Sequence, residues 1–341
     1  MANTTTNTAA WLPTPKAHPF TIDSAPLWTP SANEILLRNH ALAINPVDPS
    51  LQQNPWFPLN YPTMLGQDVA GEVAAVGPGV TRFRVGDRVV GHAVGMTSGR
   101  KEENAFQKYT ILNTNMASHI PAHVSYERAV VLPLGLSTAA CGLFQEDFLN
   151  LRFPTEPRAQ VQGEALLVWG GASSVGSNAI QLAVAAGYEV YATASPKNYE
   201  YVKRLGATEV FDYNSPAVVD DIVTALAGKP IVGAIDCIGP PATTPTVDAV
   251  LRAKGVKFVS TVKPRYAAPE GVTVKSIFGT SLKDNEVGKA IYEDFLPKAL
   301  EAGSFVPAPE PLVAGRGLES LQGAVDLMGK GVSARKIVVL L

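Results

Sequence analysis

The most informative residues form a run of small side chains between an apolar segment and a long segment without proline, in ALLVWGGASSVGSNAIQLAVAAG. Gly171, Ser173 and Gly176 occupy the three fixed positions of a G-x-G-x-x-G turn, with serine in place of the second glycine. The first glycine permits a tight turn, the small middle residue lets backbone amides approach a pyrophosphate, and the last lets the helix pack against the strand. The turn therefore predicts dinucleotide binding, and a sharp connection without a ligand is the alternative.

The residues after the second predicted strand bear on which dinucleotide is bound. A site selective for NAD places Asp or Glu about 20 residues beyond the glycines, at the end of that strand. This chain has Ser195 there, and Lys197 and Asn198 follow with a cation and neutral donors for a 2′-phosphate. Tyr213, at the end of the third predicted strand, would complete this pocket. NADPH is the predicted cofactor, but Ser195 and Pro196 also fit the start of a helix with a solvated Lys197.

Two patterns of hydrophobicity divide the chain. Up to about residue 115, strand-like segments such as DVAGEVAAVGPGV are broken by Gly and Pro, which predicts a compact β domain. From about residue 126, helical segments alternate with short apolar ones, which predicts an α/β domain with a doubly wound parallel sheet. The final strand, KIVVLL, is expected to rejoin the first domain. The predicted strands of the parallel sheet are ALLVWG (165–170), EVYATAS (189–195), TEVFDY (208–213), VGAIDCIG (232–239) and KFVST (257–261).

The composition excludes several classes of partner. The net charge is −2 and the pI is about 6.2, without a basic stripe, so neither nucleic acid nor an anionic membrane surface is indicated. Two cysteines are too few for a disulfide framework, which favours a reducing compartment and a cytoplasmic location. The start, MANTTTNTAAWLPTP, lacks the pattern of a signal peptide, and no purely apolar stretch of membrane-spanning length occurs. We expect a soluble, unprocessed protein with a polar, partly mobile start.

Four segments together resemble a known family. NEILLRNHALAINPVD, YPTMLGQDVAGEVAAVGPGVTRFRVGDRVVG, VVLPLGLSTAA and WGGASSVG are similar, in order and spacing, to the quinone oxidoreductase and enoyl reductase branch of medium-chain dehydrogenases/reductases. GGASSVG and SPKN look most like fungal members of secondary metabolism, including stand-alone enoyl reductases that serve polyketide synthases. The resemblance implies a GroES-like substrate domain at residues 1–125, completed by 305–341, and a Rossmann NADPH-binding domain at residues 126–304.

The resemblance also implies roles for individual residues. It places Asp48, Thr138 and Ser333 near the nicotinamide, with Asn45 and Thr138 as the candidate catalytic residues. Asn45 would donate to the substrate or to the nicotinamide ribose and Thr138 would hold the carboxamide, although each equally fits the cap of a turn or helix. The remaining cofactor contacts fall on Ser173, Ser174, Val175 and Gly176 for the pyrophosphate, Ser195, Lys197, Asn198 and Tyr213 for the adenosine phosphate, and Ile238 and Phe278 for the rest.

No metal site is predicted. Zinc-dependent relatives carry Cys at the position of Asn45 and G-H-E where this chain has Gly66-Gln67-Asp68. The lobe that holds four cysteines in those relatives is also absent from GHAVGMTSGRKEENAF. Without a Lewis acid, reduction of a C=C bond conjugated to a carbonyl is favoured, because the protein then mainly positions NADPH and stabilises the developing enolate. The tyrosine proton donor of mitochondrial relatives is missing from the matching segment, NPWF, so the proton is assigned to water.

The sequence therefore predicts an NADPH-dependent, zinc-independent reductase of an activated C=C bond or a quinone, within secondary metabolism. A zinc-free carbonyl reductase or alcohol dehydrogenase is one alternative, and an NADPH-binding partner protein with little turnover is another. The predicted substrate is a small molecule, free or bound to the carrier of a polyketide synthase. The apolar segment VTVKSIFGT would form an exposed sheet edge unless paired, which favours a homodimer.

Overall fold

The computed structural model describes residues 6–341 and divides the chain into two compact units. The first unit comprises Met1–Leu134 and Val306–Leu341, and the second comprises Gly135–Phe305. The functional division into a substrate domain and a cofactor domain stays a proposal. Each unit is described separately below.

The first part of the first unit consists mainly of strands. Asn7 begins the first of them, so this part of the predicted mobile start is ordered, and the part of that prediction that concerns residues 1–5 lies outside the described residues. The Asn7 side chain donates to Gln107 Oε1 at 2.9 Å and to Pro26 O at 3.0 Å, which ties the strand down. The elements are β1 (Asn7–Leu12), β2 (Thr21–Ala25), β3 (Glu34–Ala43), α1 (Val47–Gln53), β4 (Thr63–Met64), β5 (Asp68–Val76), β6 (Arg88–His92), α2 (Gly95–Ser98), β7 (Tyr109–Asn113), β8 (Ala117–His119) and α3 (Tyr126–Ala129).

The second unit alternates helices and strands, as its sequence pattern predicts. Strand β9, ALLVW, is buried along its whole length, which is typical of a parallel strand covered on both faces. The elements are α4 (Pro133–Phe144), whose first two residues belong to the first unit, β9 (Ala165–Trp169), α5 (Ser174–Ala185), β10 (Glu189–Ala194), α6 (Tyr199–Arg204), β11 (Glu209–Asp212), α7 (Val218–Ala225), β12 (Ile231–Asp236), α8 (Thr243–Arg252), β13 (Phe258–Thr261), β14 (Thr273–Ser276), α9 (Glu286–Lys289) and α10 (Leu296–Ala302).

The sheet of the second unit has six strands within the described residues, in the order β11-β10-β9-β12-β13-β14. All neighbouring pairs are parallel. The order reverses between β9 and β12, and doubly wound sheets bind ligands at the carboxyl ends of the strands at such a reversal. Strand β14, from the segment for which edge pairing was predicted, lies at the sheet edge, and the homodimer stays a prediction.

The chain then returns to the first unit through β15 (Glu310–Arg316), α11 (Leu321–Lys330) and β16 (Arg335–Leu340). The predicted return of the final strand is confirmed, because β16 pairs antiparallel with β3 and parallel with β15. Across residues 6–341, this unit holds a three-stranded sheet, β2-β1-β4, and a seven-stranded sheet in which β7 also pairs with β3. Its core lies between these sheets, α1 and α11, with Leu37, Phe106 and Ile337 among its fully buried members.

One segment, Tyr126–Phe144, is long and apolar enough to cross a membrane by length and composition alone. Of its most apolar window, 83% is buried inside the protein. Burial of this kind is typical of a core helix.

Candidate functional site

The turn between β9 and α5 has the geometry of a phosphate-binding turn. Ser173 caps α5: its Oγ accepts the N–H of Gly176 at 3.0 Å and donates to Gly170 O at 2.8 Å. A Cβ on Gly176 would lie 2.2 Å from Gly170 O and 2.8 Å from Gly171 Cα. Because both contacts are backbone atoms, only glycine allows the helix to approach the strand so closely.

The left-handed residue of the turn is Gly170, with φ of +85°, one residue before Gly171, the glycine predicted to permit the tight turn. A Cβ on Gly171 would instead lie within 3.2 Å of side chains on three elements, so its small size serves packing. The Gly170 N–H donates to Thr193 Oγ1 at 3.0 Å, which anchors the turn to β10. The first helical hydrogen bond of α5 runs from Ser177 N to Ser173 O. Among the described contacts, the backbone N–H groups of Ser174 and Val175 have no hydrogen-bond acceptor.

The segment after β10 carries the predicted adenosine contacts. Asn198 donates its backbone N–H to Ser195 O at 2.8 Å and its side-chain amide to Ser195 Oγ at 3.1 Å. The same segment forms one short turn of 3-10 helix, Pro196–Asn198, so the alternative interpretation of Ser195 as a helix start also describes its backbone. Lys197 is exposed, and no ion pair involves it in the part of the chain that the structure describes. Its ammonium therefore remains available to an anion.

Three of the predicted contact residues share one property. Each lies one or two residues after the carboxyl end of a strand of the parallel sheet, and each exposes a large side chain that is mainly apolar. The exposed fractions are 46% for Tyr213, 44% for Ile238 and 43% for Phe278.

Asp236, at the end of β12, holds the loop that carries Ile238. Its buried carboxylate accepts the N–H groups of Ile238 and Gly239, each at 3.0 Å. It also accepts the hydroxyls of Thr243 at 2.6 Å and Thr261 at 3.0 Å. Sequence reasoning missed this residue, although a single Asp that ends an apolar strand, in GAIDCIG, is a visible signal.

Thr138 lies in α4, and the structure brings it against the segment that carries Phe278. A Cβ on Gly279 would lie 2.9 Å from Thr138 Oγ1 and 3.0 Å from its backbone N. The neighbouring Ser137 hydroxyl lies 2.7 Å from the hydroxyl of Tyr292. Glycine at position 279 is therefore what permits this close approach within the second unit.

The first unit contains a buried polar cluster, formed by Asn45, Asp48, Asp68 and Lys336. Asn45 Nδ2 donates to Asp68 Oδ2 at 2.9 Å, and the Lys336 ammonium donates to that oxygen at 2.8 Å and to Asn45 Oδ1. Asp48 Oδ2 accepts the backbone N–H of Asn45 at 2.7 Å. The other Asp68 oxygen accepts the N–H of Leu134, at the start of α4, at 2.7 Å. Two side chains far from Asn45 in sequence, Asp68 and Lys336, thus fix its side-chain amide.

Two groups near the cluster have strongly shifted pKa values. Burial raises the pKa of Asp48 from 3.8 to about 7, against the opposing hydrogen bond from Asn45 N–H. Its Oδ1 has no hydrogen-bond partner in the described part of the chain. Burial lowers the pKa of His92 from 6.5 to about 4, and its Nε2 lies 3.2 Å from Gln67 Oε1. Both groups are therefore largely neutral near pH 6.

The remaining predicted residue and the metal expectation concern the same unit. Ser333 is exposed in the loop between α11 and β16 and is not among the residues that hold Asn45. Within residues 6–341, no three His, Cys, Asp or Glu side chains cluster as metal ligands would.

Sequence reasoning missed Lys336, although a lysine within the apolar strand KIVVLL is a signal, because such a strand normally buries no charge.

Comparison with known proteins agrees with this architecture. The model described as "Alcohol dehydrogenase GroES-like domain" matches residues 31–132, and "Zinc-binding dehydrogenase" matches residues 174–286. These matches confirm the predicted fold class, a GroES-like β domain with a Rossmann parallel-sheet domain.

Related sequences and solved structures align with nearly the whole chain. The zinc-binding alcohol dehydrogenase domain-containing protein cipB of Emericella nidulans is 62% identical over 341 residues, which is 100% of both chains. The trans-enoyl reductase himH of Aspergillus japonicus is 38% identical over 98% of this chain and 97% of its own. An alcohol dehydrogenase superfamily protein from Novosphingobium aromaticivorans has a TM-score of 0.81 at 26% identity, over 99% of this chain and 100% of its own. The chain belongs to the medium-chain dehydrogenase/reductase superfamily of oxidoreductases, in its enoyl-reductase-like branch.

Proposed function

We propose that the protein is an NADPH-dependent, zinc-independent reductase that transfers a hydride to an activated C=C bond, of the enoyl or enone type, or to a quinone. The observation that carries this proposal is the Asn45 amide, held between the Lys336 ammonium and Asp68 where zinc-dependent members of the family carry a cysteine ligand. An ammonium group within hydrogen-bond distance of both side chains disfavours a divalent cation at the same place. The relatives named trans-enoyl reductases support the same reaction class.

The second unit fits a dinucleotide. Pyrophosphate would bind at the turn of Ser173–Gly176, where the free N–H groups of Ser174 and Val175 meet the positive end of α5. The 2′-phosphate would bind Lys197, Ser195 and Asn198, with Tyr213 beside it. Ile238 and Phe278 would contact the remainder of the cofactor, and Thr138 its carboxamide. Asp48 and Ser333 of the first unit are proposed for the nicotinamide end.

The chain itself would contribute hydrogen bonding and positioning. When bound, reduced nicotinamide supplies the hydride. Asn45 would donate its second Nδ2 hydrogen to the carbonyl oxygen of the substrate as negative charge develops there, and such a preorganised donor stabilises an enolate. Water would then protonate the α-carbon. Residues 1–125 with 305–341 are proposed as the domain that binds the substrate.

The substrate class follows from the relatives rather than from a pocket. Several fungal relatives are named trans-enoyl reductases, and we therefore propose a small enone or an enoyl chain carried by a polyketide synthase, in the cytoplasm. A homodimer joined at β14 is proposed on the position of that strand at the sheet edge.

The test is titration of NADPH by its fluorescence, followed by stopped-flow oxidation with a matched enone, quinone and saturated ketone, and with NADH as the control. We expect NADPH to bind more tightly than NADH and the enone or quinone to oxidise it. Oxidation by the ketone alone would establish a carbonyl reductase instead. Tight binding without oxidation by any acceptor in a broad panel would indicate an NADPH-binding partner protein.

A further inference from the structure

We propose that Lys336 is a positioning residue, which fixes the Asn45 amide in one orientation and strengthens it as a donor to the substrate. This inference rests on the proposed role of Asn45. The side chain of Lys336 is only 2% exposed, and it comes from β16, which is apolar after Lys336 and begins with the exposed Arg335. A buried lysine requires compensating contacts, because an ammonium group is costly to remove from water, and Lys336 makes these contacts with Asp68 and Asn45.

The geometry selects one orientation of the amide. Asn45 Oδ1 accepts from the Lys336 ammonium, and Asn45 Nδ2 donates to Asp68 Oδ2 at 2.9 Å. Rotating the amide by half a turn would set its N–H groups against the ammonium and its oxygen against the carboxylate. Both contacts would then be repulsive. Asp48 fixes the backbone as well, because its Oδ2 accepts the Asn45 N–H at 2.7 Å.

The same contacts alter the donor strength of the amide. A cationic donor on Oδ1 draws electron density from the amide nitrogen, and hydrogen bonds in series strengthen one another in this way. One hydrogen of Asn45 Nδ2 is used by Asp68, and the second has no acceptor among the described contacts. Lys336 therefore acts on the substrate through Asn45, and it presents an N–H rather than a carbonyl oxygen to the developing enolate.

The kinetic test is a double-mutant cycle of Lys336→Met and Asn45→Ala in the NADPH-loaded enzyme, measured by single-turnover oxidation with the enone. We expect Lys336→Met to slow hydride transfer by about tenfold or more, with little change in NADPH affinity. The upper bound is the 10²- to 10³-fold loss typical of removing an oxyanion donor, because Lys336 acts only through Asn45. In the Asn45→Ala background it should have little further effect. Lys336→Arg should restore most of the rate, because a guanidinium group also donates to both oxygens. Equal slowing in both backgrounds would overturn the proposal.

A second measurement does not depend on turnover. In protein with isotope-labelled asparagine, the side-chain amide signal of Asn45 is identified by its loss in Asn45→Ala. Lys336→Met should move that signal upfield, because the polarising ammonium is gone, and an unmoved signal would contradict the proposal. If no acceptor oxidises NADPH, the proposed function fails while this measurement still decides the role of Lys336.

The double variant Asp68→Asn with Lys336→Met is the control for misfolding of Lys336→Met. Lys336→Met alone leaves Asp68 charged and buried without its cation, which is strongly destabilising. The double variant removes both charges and keeps an oxygen that accepts from Leu134 N–H or Asn45 Nδ2. We expect it to fold. Because Asp68→Asn changes the acceptor of Asn45 Nδ2, the Asn45 signal of the double variant is compared with that of Asp68→Asn alone, and the absence of a further upfield shift would overturn the proposal.

Discussion

Asp48 and His92 are both fully buried and are predicted to give the protein two opposing dependences of stability on pH. The folded pKa of Asp48 is raised from 3.8 to about 7, so the folded state holds this proton more tightly than the unfolded state. The protonated Asp48 therefore makes its full contribution to the free energy of unfolding below pH 3.8, and this contribution is lost as the pH rises from 3.8 to about 7. The full difference corresponds to about 4 kcal/mol of unfolding free energy.

His92 acts in the opposite direction. Its folded pKa is lowered from 6.5 to about 4, so the unfolded state binds the proton more tightly. Stability is therefore complete above the unfolded value and is lost as pH falls towards 4, by about 3 kcal/mol in total. Between about pH 5 and 8, Asp48 removes ~2 to 3 kcal/mol while His92 adds ~2 kcal/mol, so the two groups nearly cancel in the wild-type protein.

The assay is urea unfolding, followed by tryptophan fluorescence, in steps from about pH 5 to pH 8. Asp48→Asn keeps an acceptor for Asn45 N–H, and we expect its stability, relative to wild type, to rise with pH by ~2 to 3 kcal/mol over this range. His92→Gln keeps a donor for Gln67, and its relative stability should fall with pH by ~2 kcal/mol. Profiles of Asp48→Asn and wild type that remain parallel across the range would refute the reasoning.

Two further predictions concern the second unit. Gly176→Ala would set a methyl group 2.2 Å from Gly170 O, and we expect NADPH affinity measured by fluorescence to fall by at least about tenfold. The matched control is Gly323→Ala, because nothing lies within 4 Å of the added methyl group there, and this variant should bind NADPH with wild-type affinity. Lys197→Ala should weaken the binding of NADPH by about tenfold or more and leave the binding of NADH unchanged, because only NADPH carries the 2′-phosphate. An equal loss of affinity for both cofactors would contradict the contact between Lys197 and the 2′-phosphate.

Much of the second unit was predictable because its signals are local. The apolar run of β9, the small residues of the turn and the long α5 follow one another within about twenty residues, and each element forms from its own sequence pattern. Tyr213 was proposed from its place at the end of a predicted strand, since the ends of parallel strands share one edge of the sheet, whereas Ile238 was proposed only from the family resemblance. The left-handed conformation of Gly170, just before the turn motif, was not predictable, because either Gly170 or Gly171 can adopt a positive φ.

By itself, the sequence determined the parallel sheet, the tight turn between β9 and α5 and the return of the last strand, because periodicity and turn chemistry act over a few residues. Only the tertiary structure decided what Asn45 does. Its amide bonds to Asp68, 23 positions away, and to Lys336, 291 positions away. Contacts at such separations depend on strand pairing, here β16 with β3, and on burial that removes competing water, which no local pattern encodes.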